Sequence, residues 1–139
     1  MISGVHSFAV FVTDVPRAVA FYRDSLGLAV SRAGSFGAEL FDEPPHLSIH
    51  PAVHPDAKKL VGRHTGITLR VPGLLHFCGV LHDRGVRFVN EPTKADFGIM
   101  AMIADPDGNV FALWEEPEVG QRGRGAEGQR AGGAEGLRG

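Results

Sequence analysis

Seven histidines are the side chains of this sequence best suited to chemistry, and His46, His50 and His54 recur at a four-residue interval. That interval gathers imidazoles on one side of a helix. Pro44, Pro45, Pro51 and Pro55 break the stretch, so it reads as extended chain. Four residues of strand span roughly 13 Å at about 3.3 Å each, whereas two nitrogens on one metal, bound at about 2.0 to 2.1 Å, lie within roughly 4 Å of one another. One ion therefore cannot take both His46 and His50. Parity along the strands leaves open a displaced set of His50, His64 and Glu116. His76 and His82 fall on a helical pattern and read as exposed. Cys78, the single cysteine, lies with Leu74, Leu75 and Leu81 on that helix's apolar side and reads as a buried, inert thiol. Glu115 and Glu116 read as a solvated pair, and no Ser-His-Asp arrangement follows from spacing.

Composition narrows what such groups could serve. The chain has 139 residues, 43% apolar and 22% charged, which is one ordinary globular domain. No run of eighteen apolar residues and no signal-peptide pattern is present, so a cytoplasmic protein without membrane contact is expected. A lone cysteine agrees with a reducing compartment. Of residues 120–139, eight are glycine and only Leu137 is a sizeable apolar group, so a disordered tail is expected after a domain of residues 1–119. The tail is slightly basic, which leaves the body about four charges negative. Without a Lys/Arg cluster, nucleic acid is not an expected partner. A small molecule is.

The elements that would position these groups occur twice. Laying Val12 on Val71 brings Val15 onto Leu74, Tyr22 onto Leu81 and Asp24 onto Asp83, an offset of 59 residues. In the first copy a strand over Ser7 to Val12 leads to a helix capped by Asp14, with Pro16 in its first turn and Gly27 at its end. Strands follow around Leu28 to Arg32, Phe36 to Phe41 and His46 to His50. The second copy repeats this order. A strand runs from His64 to Val71 and a helix from Leu74 to Arg84, followed by strands near Val86 to Val89, Ile99 to Ala104 and Val110 to Trp114. Asp105-Pro106-Asp107-Gly108-Asn109 is the last hairpin turn. The fold class is α+β, two βαβββ modules over about residues 5–51 and 64–116 with a linker at 52–63.

Thr13-Asp14-Val15, Ala20-Phe21-Tyr22 and Leu26-Gly27, together with Asp105-Pro106-Asp107-Gly108-Asn109-Val110 in the second module, resemble the vicinal oxygen chelate superfamily. This group includes glyoxalase I, extradiol dioxygenases, fosfomycin-modifying enzymes and the bleomycin-resistance binding proteins. The resemblance implies curled sheets around a cavity, a homodimer, and four metal-ligand positions on the first and last strands of each module. Those positions carry Ser7, Ser48, Gly66 and Ala112 here. Such a set offers no imidazole, carboxylate or thiolate, so no metal or other cofactor is expected. His6, one residue off, should point away from the cavity.

The resemblance is thus nearest the metal-free, bleomycin-resistance-like branch: a binding protein, antibiotic-resistance-like, that sequesters an aromatic or amphipathic ligand and has no catalytic residue. Its ligand-binding set would be Ser7, Phe11, Ser48, His50, His64, Thr68, Arg70, Phe97 and Trp114. The opposite faces, Phe8, Val10 and Val12 with Ile67, Leu69 and Val71, should pack on the helices. The alternatives are a lyase or dioxygenase of the same fold using the displaced metal site, acid-base chemistry by a cavity histidine, and a scaffold that serves only in assembly.

Overall fold

The structure, a computed structural model, describes residues 1–117; the expected tail lies outside them. Strand β1 (Ser7–Val12) alternates, with Val10 and Val12 wholly buried on one face. Asp14 then caps helix α1 (Val15–Ala20) by accepting from the Arg17 N–H at 3.0 Å. The helix does not continue evenly to Gly27. Phe21–Ser25 widens into a π-helical turn, and the Leu28 N–H reaches back to the Tyr22 carbonyl. Strands β2 (Val30–Gly34), β3 (Gly37–Leu40) and β4 (His46–Pro51) complete the first module. A short helix α2 (Pro55–Lys58), capped by His54, interrupts the expected linker.

The second module runs β5 (His64–Arg70), α3 (Leu74–Asp83), β6 (Arg87–Ala95), β7 (Gly98–Ala104) and β8 (Val110–Glu115). Leu74, Cys78 and Leu81 form the buried stripe of α3. Gly73 precedes that helix and brings no side chain to cap it. Glu115 supplies the acceptor, its carboxylate taking the Leu74 N–H at 2.9 Å. Glu115 is therefore a helix cap and not half of a solvated pair.

Each module makes a four-stranded sheet, ordered β1-β4-β3-β2 and β5-β8-β7-β6, in which the first and last strands pair in parallel. Tyr22 and Leu81, matched by the duplication, are both wholly buried, and one apolar cluster draws on both modules. The two sheets are joined by side chains. On β1, Asn109 donates to the Phe11 carbonyl at 3.0 Å and Arg63 to the Ala9 carbonyl at 3.0 Å. Thr13 donates to Asp107 through its hydroxyl at 2.6 Å and its N–H at 3.0 Å. Strand-edge groups otherwise left to water are satisfied this way.

Beneath the joint lies a buried polar knot. The Tyr22 hydroxyl donates to Asp105 at 2.6 Å, and the Asp105 carboxylate, 4% exposed, also accepts from the Asp107 N–H, the Asn109 N–H and Asn109 Nδ2, each at 2.9 Å. Asn109 Oδ1 accepts from the Gly62 N–H at 2.8 Å. Four donors satisfy the buried carboxylate. Burial first, and then the adjacent Asp105 charge, push the Tyr22 phenol well above its ordinary value. The turn motif thus does more than reverse the chain, because it clasps the two modules together.

Candidate functional site

The side of each sheet that faces away from the helices carries the expected binding residues. Register on the first sheet sets Ser7 opposite His46, Ala9 opposite Ser48 and Phe11 opposite His50. The Phe11 and His50 rings stand 6.0 Å apart. Glu39 pairs with Ser48 on β4 and with Arg32 on β2, so one row across the face reads Ala9, Ser48, Glu39, Arg32. In the neighbouring row Gly37 and Gly34 present no side chain. Ser7, Phe11, Ser48 and His50 are thus brought onto one face.

On the second sheet the rows are Thr68, Ala112, Met102, Asn90 and Arg70, Trp114, Met100, Thr93. Trp114 is half-buried and its indole N–H donates to the Phe97 carbonyl at 3.0 Å, across the β6–β7 turn. Gly98 makes that approach feasible. Its φ is +128°, and a Cβ there would stand 2.1 Å from the Glu115 carbonyl oxygen and 2.9 Å from the indole nitrogen. The indole is therefore held by its edge, with Met100 its register partner on β7 and Met102 in the next row. A recess of about 350 Å³ on the same sheet is lined by residues of β6 and β7 and the turn between them, Asn90, Thr93, Phe97, Met100 and Met102 among others. Methionine is a soft, adaptable contact for aromatic rings.

Several expectations need correction. His6 does not turn away: regular pairing begins at Ser7, and His6 Nε2 lies 3.9 Å from Glu39 on the open face. Phe8 does not pack on a helix. It is 47% exposed and lines a crevice of about 510 Å³ between β1, β4 and β5. His64 is exposed at the entrance of β5, and the pairing register slips between it and Thr68, where Gly66 takes φ +74°. Arg70 pairs with Glu116 at 2.9 Å, which makes Glu116 a partnered group. His82 is exposed but not idle, since it stacks on Phe88 at 4.1 Å and meets Glu91 at 2.8 Å. Cys78 is buried as expected, and burial pushes its thiol up.

The metal-ligand positions implied by the resemblance hold two hydroxyls, a glycine and a methyl group, and these do not fit a transition-metal ion. Among the described residues no three His, Cys, Asp or Glu side chains gather as a metal site, so His50, His64 and Glu116 do not come together. No helix among them is long and apolar enough to cross a membrane. Glu39, Met100 and Met102 were missed from sequence. Alternation could have found them, because Ala38 and Leu40, like Ile99, Ala101 and Ile103, face the core and leave the residues between them on the open side.

Comparison with known proteins agrees with this architecture. The model of the glyoxalase/bleomycin resistance protein/dioxygenase superfamily matches residues 4–113. The uncharacterised protein YetH of Bacillus subtilis is 26% identical over 120 residues, covering 83% of this chain and 100% of that protein. A superfamily member from Sphaerobacter thermophilus superposes with a TM-score of 0.71 at 28% identity, over 83% of this chain and 98% of the other. TnmS3, an antibiotic binding protein from a Streptomyces species, does so with 0.66 at 30% identity, over 84% and 98%. With the family model spanning both modules, the chain belongs to the glyoxalase/bleomycin resistance protein/dioxygenase superfamily.

Proposed function

We propose that this protein binds an aromatic or amphipathic small molecule without a metal ion and sequesters it rather than converting it. The observation that carries this reading is the fixed indole of Trp114 beside Met100 and Met102 on an otherwise open sheet face. A flat ring laid there gains buried apolar area and ring-to-ring attraction, and the polar groups of the first sheet would orient it. The likeness to TnmS3 supports an antibiotic or a similar metabolite as the ligand. Pairing two copies, so that the first sheet of one covers the second sheet of the other, would enclose the site; light scattering on the purified protein tests that homodimer.

Trp114 is the chain's only tryptophan, so its emission reports on the site alone. Titrating planar polycyclic aromatics into the protein should quench that emission saturably. Calorimetric titration of Trp114→Ala should show affinity reduced by about tenfold or more, a loss of roughly 1.4 kcal/mol, while His82→Ala binds like the parent. Equal affinities for the two variants would refute the proposal.

A further inference from the structure

The crevice of about 510 Å³ where β1, β4 and β5 meet is not lined by Trp114, Met100 or Met102. On β1 the row turned from the open face is Phe8, Val10 and Val12. Val10 and Val12 are wholly buried, yet Phe8 is 47% exposed and stands in the crevice wall. Phe41, 36% exposed, stands there too, and among the described residues it is the one non-glycine at positive φ, +70°. Such a backbone is strained, and here it is pinned at both ends. The Phe41 N–H donates to the Ala29 carbonyl at 3.0 Å, and its own carbonyl accepts from His46 Nδ1 at 2.8 Å. Two aromatic rings are thus kept partly in water around a recess of the size that small ligands occupy.

The uncompensated charge around this recess is negative. Asp42 and Glu43 border it, both exposed, and among the described residues the side chain of neither is tied to a cation or a hydrogen-bond donor. The guanidinium on the same rim, Arg70, is engaged by Glu116 at 2.9 Å. We infer that the crevice is a second binding site, for an amphipathic organic cation, whose apolar body lies against Phe8, Phe41 and Leu69 and whose positive group meets Asp42 and Glu43. Covering the two exposed rings is favourable, and aromatic faces themselves attract cations. A body about four charges negative also draws a cation toward it. The Trp114 indole takes no part, so this site is independent of the one proposed above.

Calorimetric titration at pH 7 into Trp114→Ala, where the sheet site is weakened, reads the crevice by itself. Three probes of one shape serve: 1-pyrenemethylammonium as cation, 1-pyrenemethanol as neutral and 1-pyrenecarboxylate as anion. The cation should bind about fivefold tighter than the neutral probe and by more over the anion. Adding Phe8→Ala should weaken all three by about tenfold. Adding Asp42→Asn with Glu43→Gln should instead bring the cation within about twofold of the neutral probe and leave the neutral probe's affinity unchanged. Circular dichroism and melting temperature verify that the variants fold. Binding that ignores Phe8→Ala, or a cation preference that is absent or survives loss of both carboxylates, overturns the inference. So does a lower mass for Phe8→Ala than for the parent in light scattering, because a second copy of the chain would then fill the crevice. If no probe binds Trp114→Ala the crevice site falls, while quenching of Trp114 emission in the parent decides the sheet site separately.

Discussion

Substituting Tyr22 by Phe tests the knot that joins the modules, and its cost can be worked from the contacts. The change deletes one hydroxyl donating to a buried carboxylate at 2.6 Å. Hydrogen bonds to charged groups contribute about 1.5–3 kcal/mol. The ring stays, with its edge contact to Phe111 at 5.7 Å, and Asp105 keeps three donors. No bare charge is left behind, so the lower half of the range applies, about 2 kcal/mol. With a urea slope of about 1–3 kcal/mol per molar for a domain of this size, the midpoint should fall by about 1 M. Asn109→Ala should cost more, about 3–5 kcal/mol, because it strands the Phe11 carbonyl and the Gly62 N–H besides weakening Asp105. Tyr22 and Asn109 Nδ2 share one Asp105 oxygen, so the double variant should be non-additive. The pH dependence has a definite sign. The folded phenol lies above its ordinary 10.0, so its contribution is complete below pH 10.0 and is lost as pH rises beyond it, when only the unfolded chain ionises. The parent's advantage over Tyr22→Phe should therefore narrow above that pH. Tyr22 is the single tyrosine, so phenolate absorbance should appear only with unfolding. A Tyr22→Phe midpoint within about 0.2 M of the parent, equivalent to a few tenths of a kcal/mol, or phenolate absorbance in the folded protein near pH 10, would refute the reasoning.

Two further outcomes test the site's supports. Gly98→Ala should destabilise the domain by about 1–3 kcal/mol from backbone strain alone, and by displacing the Trp114 indole it should shift that residue's emission, a change that fluorescence of the folded variant reads directly. Cys78, the sole cysteine, should react with a disulfide reagent far more slowly in the folded protein than in urea, since burial both shields the thiol and raises its pKa; equal rates would contradict the packing of α3.

The duplication was legible because its repeat is carried by apolar spacing: Tyr22 and Leu81 differ in chemistry yet fill equivalent buried places. Open-face parity was legible for the same reason in β1, β4 and β8, where strands alternate without interruption. It was less legible in β5, where Gly66 at positive φ absorbs extra residues, and just before β1, where His6, its carbonyl accepting from the His46 N–H at 2.9 Å, lies with its ring 3.9 Å from Glu39. The strand over Val86 to Val89 proved longer, reaching Ala95, because irregularities at Asn90 and Thr93 carry pairing past Pro92. Glu115 shows another limit. Its spacing to Leu74 says nothing of a helix cap, since the contact exists only after β8 has folded beside α3.

The two modules have kept one scaffold and diverged on its exposed side. Equivalent strands carry Ala9, Ser48 and Glu39 in one copy and Thr68, Ala112 and Met102 in the other, so the carboxylate and the thioethers of the candidate site reside on separate sheets. In the proposed pair each chain lends one sheet to each of two sites, so both sites keep their shape only if the two sheets of a chain hold their relative placement, which rests on Asn109, Arg63, Asp107 and the Tyr22–Asp105 bond. The turn motif by which the sequence resembles its superfamily is therefore a stability element with a functional reach. Weakening it should loosen binding even though none of its side chains is expected to touch the ligand.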